Sequence, residues 1–324
     1  MKRSWLDIIL ALLFGVILPW TSLEWIYEHQ SNHIEQSETL ILPTGTQDQE
    51  YTIPVYISDE DKIVYMSMND YLTGVLLCEI PASFHMEAKK AQAVVARTYA
   101  LKTIENGVKH TPSAVCTESA CGQGYTSEED YLKNGGKNSA IEHARMAVQE
   151  TDPYVITYNG RLIDATYFSC SGGTTEDAVA VWGSDIPYLQ AVESPGEEDA
   201  THYMDTVIFS SEDFQILLER RLDGQPKDWF KEVIYTEGGG VDTIKIGEFC
   251  YKGTVLRQKL GLRSTMFRIQ TEGDRIIITT KGFGHRVGMS QFGANAMAEN
   301  GCGFHQILSH YYTGTEIDKV EDLG

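Results

Sequence analysis

Positive charge is scarce in this chain: 26 Lys and Arg face 46 Asp and Glu, leaving a formal −20 at pH 7. That balance excludes nucleic acid as a partner and offers no attraction to other polyanions; a solvated acidic surface accounts for it. Internal repeats and low-complexity tracts are absent, which excludes repeat arrays and fibrous classes. Gly282, Gly284 and Gly288 lack the G-x-G-x-x-G spacing, so no dinucleotide is implied. A long apolar run is missing too. The stretch from Ile8 to Leu18 falls short of the about 17–25 residues of a full membrane span, and no small-x-small cleavage site follows it.

What is present divides the chain into three parts. Lys2 and Arg3 precede the apolar run, and Trp5 and Trp20 can anchor an extended version of it at both interfaces. Residues 1–26 therefore read as a cytoplasmic start and an uncleaved transmembrane signal-anchor, with a cleaved signal peptide as the alternative. The basic residues place that end inside the cell and the rest outside the cytoplasm. Residues 27–50 are polar and read as a stalk. Residues 51–324 suffice for one large core or two closely packed lobes.

Within that domain, Asn159-Gly160 separates Tyr154–Tyr158 from Arg161–Phe168, a strong hairpin signal. Ser139 and Glu142 form a capping box for a helix ending near Glu150. Arg275 to Thr280 reads as a strand, and Ser290 to Asn300 as a helix closed by Gly301. Helices at both ends with strands between them argue an α+β fold, mixed helices and antiparallel strands forming a cleft.

Glu79 is the most informative residue. Asn69 is a fair N-cap, Pro81 forces Ile80 out of helical geometry, and the helix between them should stop near Glu79. Leu72, Val75, Leu76 and Glu79 fall at i, i+3, i+4 and i+7, on a face that is otherwise apolar. A helix-end Glu ordinarily turns back to solvent. A carboxyl group held on an apolar face instead loses water, its pKa rises, and it becomes a candidate general acid.

The stretch from Cys78-Glu79-Ile80-Pro81 through Ala91-Gln92-Ala93 and Ala96-Arg97-Thr98-Tyr99 resembles the hallmark of the stage II sporulation protein D (SpoIID) family. Three further stretches agree, in order. They are Phe168-Ser169-Cys170-Ser171-Gly172-Gly173, Leu256-Arg257-Gln258-Lys259-Leu260-Gly261, and Gly282-Phe283-Gly284-His285-Arg286-Val287-Gly288 through Ser290-Gln291. The resemblance runs from about Tyr51 to Ile317. It implies a peptidoglycan lytic transglycosylase that cuts peptide-stripped glycan strands during engulfment, with Glu79 as the catalyst. It also implies a place in the mother-cell membrane facing the forespore, beside an engulfment amidase and a membrane scaffold protein. The alternative is a non-catalytic glycan-binding activator of a cell-wall amidase.

The remaining motif residues read as walls of a sugar cleft. Ser169, Ser171 and Gly172 follow the hairpin, where glycine lets backbone N–H groups approach a ligand; a plain turn is the competing reading. His285, Ser290 and Gln291 offer donors and acceptors, and Gln92, Arg97 and Tyr99 can orient the acid. Arg97 has a structural ion pair as its alternative. Trp182 and Tyr188 read as core packing, with stacking on a sugar face as the alternative. Arg286 stands where the family usually has glycine, and that cation can reach a MurNAc carboxylate. No second motif-level carboxylate accompanies Glu79; Glu87 lies in the adjoining helix on a lysine-rich side, and Asp164 and Glu176 flank another motif.

His110, Cys116 and Cys121 place three good zinc ligands on one loop. Some family members carry a structural Cys/His zinc site here. Zinc, a Cys116–Cys121 disulfide and free thiols are all open readings, and no cofactor is needed for the catalysis. Cys78 and Cys170 each sit inside a motif and are candidates to face each other across the cleft.

Overall fold

The computed structural model describes residues 52–118 and 121–323. Among them no helix is long and apolar enough to cross a membrane. The expected signal-anchor and stalk, residues 1–50, lie outside the described residues.

Thr52–Ile57 (β1) and Lys62–Ser67 (β2) pair antiparallel, and Val115–Cys116 (β3) joins β1 in parallel. Two helices follow β2, Met68–Glu79 (α1) and Met86–Glu105 (α2). Ser67 rather than Asn69 caps α1, because the helix begins two residues earlier than read; its hydroxyl accepts from the Asp70 N–H at 3.0 Å. Pro81 acts as expected: Ile80 is extended, with φ −127° and ψ 144°, and α1 stops at Glu79. The loop to α2 is pinned by Lys89, whose buried ammonium donates to the carbonyls of Ala82 and Phe84 at 2.8 and 2.5 Å.

Helix α2 is buried around most of its circumference, including Ala91, Ala93, Val94, Val95, Ala96 and Ala100. Small side chains permit this, since neighbouring backbones can come close on every side. Glu128–Lys133 (α3) and Asn138–Glu150 (α4) come next. The expected capping box on α4 does not form: Ser139 lies inside the helix, and Lys137 is an N-cap without a side-chain bond.

Tyr154–Tyr158 (β4) and Arg161–Leu162 (β5) make the hairpin, with Asn159 and Gly160 at φ 52° and 71°. Tyr167–Phe168 (β6) and Ala178–Trp182 (α5) lead to a second lobe. That lobe runs through Met204–Ser210 (β7), Ser211–Leu218 (α6), Phe230–Tyr235 (β8), Val241–Ile246 (β9) and Phe249–Lys252 (β10). It continues with Gly253–Lys259 (α7), Phe267–Glu272 (β11) and Arg275–Lys281 (β12). Its antiparallel sheets, β10-β9-β8 and β11-β12-β7, share a core of Phe214, Trp229, Ile244, Leu256, Ile276 and Ile278.

The chain then returns through Met289–Ser290 (β13), Gln291–Glu299 (α8), Phe304–Tyr311 (α9) and Glu316–Lys319 (β14). β14 pairs antiparallel with β4, while β13 pairs in parallel with β6, setting Met289 opposite Tyr167 and Ser290 opposite Phe168. The first core joins α1, α2 and α4 to α8, α9 and β4 through residues such as Leu72, Val94, Ile156, Leu308 and Tyr311. The architecture is α+β, with mostly antiparallel sheets.

Arg97 ties α2 to α4. It is 2 % exposed, and its guanidinium donates to the carbonyls of Val148, Thr151 and Tyr154 at 3.0, 2.9 and 3.1 Å. Two of those carbonyls close the C-terminal end of α4, where a cation is favoured. Lysine keeps the charge but cannot fork across three acceptors. Arg97→Lys should therefore lower unfolding stability by about 2 kcal/mol or more, measured by urea denaturation.

Candidate active site

Glu79 is the last residue of α1, so its carboxyl group lies at the negative end of the helix dipole. The Gly124 N–H donates to its Oε1 at 2.7 Å. A Cβ on Gly124 would stand 2.8 Å from that oxygen and 3.0 Å from Cys78 Sγ, so only glycine allows this approach. The Tyr167 hydroxyl and the Gln291 amide also face the carboxylate. Burial outweighs these groups and holds the Glu79 pKa above its ordinary value; the Gly124, Tyr167 and Gln291 donors pull it partly back.

Glu79 opens into a cleft of about 690 Å³. Tyr99, Gln123, Tyr167, Ser169 and Gln291 line it from the helical part, and His202, Arg257, Phe283 and His285 from the margin of the second lobe. Glu79 is the sole carboxylate among these lining residues. Tyr167 donates to Gln123 Oε1 at 3.2 Å, and the Gln123 amide in turn donates to the Ala96 carbonyl at 3.2 Å. The Gln291 Nε2 faces Glu79 but makes no regular hydrogen bond among the described residues.

His285 packs against Phe168 and Trp182, with ring centroids 5.6 and 5.3 Å away. Its Nδ1 accepts from the Val287 N–H at 3.1 Å. Burial pushes its pKa down to about 4, helped by the positive charge of Arg257, so the imidazole is neutral at pH 7.

The structure thus brings Glu79, Tyr99, Ser169, His285 and Gln291 to one cleft. It places five other expected site residues elsewhere. Gln92 is enclosed in α2 with both amide atoms unpartnered, and Arg97 serves the α4 end. Ser171, Gly172 and Ser290 turn inward to a residue the sequence did not single out, Glu197. Its Oε2 accepts from Cys170 Sγ, the Ser171 N–H, Ser171 Oγ and the Gly172 N–H at 3.0, 2.7, 2.9 and 3.1 Å. Its Oε1 accepts from Ser194 Oγ and Ser290 Oγ, both at 2.6 Å. These donors satisfy a carboxylate that is 1 % exposed, which is why they do not face a sugar.

Arg286 also departs from its expected role at a MurNAc carboxylate. It is wholly buried, donating to the carbonyls of Ser171 at 2.8 Å, Thr174 at 2.7 Å and Gly238 at 2.5 Å, beside Glu176 at 3.4 Å. Its backbone is left-handed, with φ 68°, a conformation that favours glycine. Glu176 is consumed by that pair, Glu87 holds Lys90, and Asp164 is bonded by Tyr188, so none supplies a second acid to the cleft. Cys78 sits beside Gly124 while Cys170 bonds Glu197, and the two do not meet.

Tyr167, Gln123, Gly124 and Arg257 are cleft residues that the sequence reading did not assign. Arg257 stood inside a quoted motif. The others have no signal of their own, since chain spacing does not reveal the β6–β13 pairing that gathers them.

The donor atoms of His110, Cys116 and Cys121 all lie within 4.8 Å of one another, with His110 Nε2 3.3 Å from Cys121 Sγ. Both cysteines are free thiols, so the disulfide reading is not the arrangement seen. His110 also stacks on Tyr56 at 4.2 Å between centroids.

The SpoIID stage II sporulation protein family model matches residues 56–158. A stage II sporulation protein D of Bacillus subtilis is 37 % identical over 83 % of this chain and 80 % of its own length. That of Bacillus amyloliquefaciens is 37 % identical over 84 % and 80 %. An amidase enhancer of Bacillus subtilis is 29 % identical over 76 % of this chain and 40 % of its own length. The chain belongs to the SpoIID family of sporulation proteins.

The Glu79 environment has a measurable consequence. A carboxyl group whose folded pKa is raised contributes fully below its unfolded value, and that contribution is lost as pH rises through the folded value. Glu79→Gln removes the ionisation. The variant should gain stability relative to the parent as pH rises above about 4 and through the raised folded pKa, followed by thermal unfolding at each pH. A constant difference would show that Glu79 titrates as in water.

Proposed function

We propose that this protein is a peptidoglycan lytic transglycosylase that cleaves the MurNAc–GlcNAc bond of peptide-stripped strands during engulfment. One observation carries the reading: the described residues lining the cleft include one carboxyl group, raised in pKa, and no second. A glycoside hydrolase ordinarily needs a pair, the second serving as base or nucleophile. A transglycosylase does not, because the nucleophile belongs to the substrate. Protonated Glu79 gives its proton to the glycosidic oxygen as the C1–O bond breaks. The C6 hydroxyl of the same MurNAc attacks C1, and its proton goes to Glu79. A 1,6-anhydro end forms and the acid is restored without water. Between the two transfers the Gly124 N–H supports the carboxylate, with the Tyr167 hydroxyl and the Gln291 amide facing it. Attack within one ring needs no second molecule to be captured.

Glu79→Gln keeps the shape but cannot donate. It should lower the release of anhydro-MurNAc ends from stripped strands by roughly 10²–10⁴-fold, read by mass spectrometry, with glycan binding retained. Undiminished release by a folded variant would remove Glu79 from the chemistry.

Similarity to an amidase enhancer supports a second reading, a glycan-binding activator of an amidase. It requires no anhydro ends from the unaltered protein and stimulation of an amidase on intact wall. The basic start and apolar run of residues 1–26 support anchoring in the cell membrane, with the domain outside the cytoplasm beside an amidase and a membrane scaffold.

We also propose that His110, Cys116 and Cys121 hold a structural zinc. Two thiols and an imidazole in this convergence suit a tetrahedral zinc, which supplies loop organisation and no catalysis here. Purified protein should contain about one equivalent, and Cys116→Ser should lower both the metal content and the unfolding temperature. Metal-free, equally stable protein would overturn it.

A further inference from the structure

Among the lining residues of the cleft, Arg257 alone carries a fixed positive charge. It stands on α7, half-buried, and its guanidinium makes no ion pair or hydrogen bond among the described residues. The nearby cations are accounted for. Arg263 pairs with Asp205 at 3.2 Å and touches His202 Nδ1 at 3.2 Å, while His285 is neutral. Arg286 is buried against Glu176. In a chain of net charge −20, an arginine left without a carboxylate in a partly dehydrated cleft is costly unless a ligand provides one.

Arg257 approaches His285 closely enough to depress its pKa, so the guanidinium belongs to the same face of the cleft. A planar fork of donors suits a carboxylate. Building on the glycan-cleaving reading above, we propose that Arg257 is a specificity-determining residue that binds the lactyl carboxylate of MurNAc. That carboxylate is free only where the stem peptide has been removed, because the peptide is attached to it through an amide. Peptide-bearing strands present a neutral amide at this position and lose the contact. The role first expected of Arg286 falls to Arg257, the cation the fold leaves open.

The test uses the full chain carrying Glu79→Gln, which holds strands uncut, and calorimetric affinities for three ligands. These are peptide-stripped strands, the same strands with lactyl carboxyls converted to methyl amides, and peptide-bearing strands. Stripped strands should bind roughly 10–100-fold more tightly than the neutral ones. Adding Arg257→Gln should erase that difference and leave the neutral-strand affinity unchanged, with Arg257→Lys recovering part of it. Equal binding of stripped and neutral strands overturns the proposal, as does discrimination that survives Arg257→Gln. Tight, Arg257-dependent binding of peptide-bearing strands assigns the cation to a stem-peptide carboxylate and also overturns it. Should Arg257→Gln fail to fold, the comparison of stripped with neutral strands on unaltered Arg257 still decides. The two readings fail separately. Discrimination without anhydro ends from the unaltered protein removes the lyase chemistry and keeps the recognition. Anhydro ends released equally fast from stripped and neutral strands do the reverse.

Discussion

A carboxylate sealed from water holds the walls of the cleft together. Glu197 gathers donors from the Cys170–Gly172 turn, from Ser194 and from Ser290. A buried charge is tolerated only where its lone pairs are satisfied, so each donor is fixed in place by the demand of the acid. Ser290 is also the N-cap of α8, and the next residue is Gln291. The amide that faces Glu79 therefore takes its position from an acid on another loop. Arg286 grips the opposite side of the same turn through the Ser171 and Thr174 carbonyls. The serine- and glycine-rich motif is thus clamped between a buried acid and a buried base.

Two glutamates in one domain meet opposite surroundings. Glu197 is ringed by donors, whereas Glu79 has a single regular one, the Gly124 N–H, and stands at a helix C-terminus. Environment, not residue type, makes one a fully bonded acceptor and raises the pKa of the other. With His285 neutral, Arg257 is the one fixed positive charge among the described residues lining the cleft, under an acidic surface.

Local signals in the sequence were reliable where chain geometry alone decides. Pro81 ended α1 at Glu79, and Asn159-Gly160 turned the hairpin. Patterning does not reveal the near-complete enclosure of α2, because alanine reads as neutral on either face. Caps were less legible: Asn69 and Ser139 are good caps by type, yet each lies inside its helix. Glu79 and His285 in the cleft could be anticipated from their motifs. Ser171 and Ser290 could not be told from sugar ligands, since a hydroxyl serves a buried acid as readily as a glycan. Glu197 was hidden in an acidic stretch that resembles a solvated loop. Its burial depends on β13 lying beside β6, a contact between residues far apart in the chain.

The position of Glu79 on the final residue of α1 makes that helix a ruler. Each residue of an α-helix advances about 1.5 Å and turns about 100°. One residue gained or lost between Ser67 and Pro81 would swing the carboxyl group out of the cleft while leaving composition almost unchanged. The segment can accept exchange of side chains but not a change of length, so the count of residues in α1 is itself part of the active site.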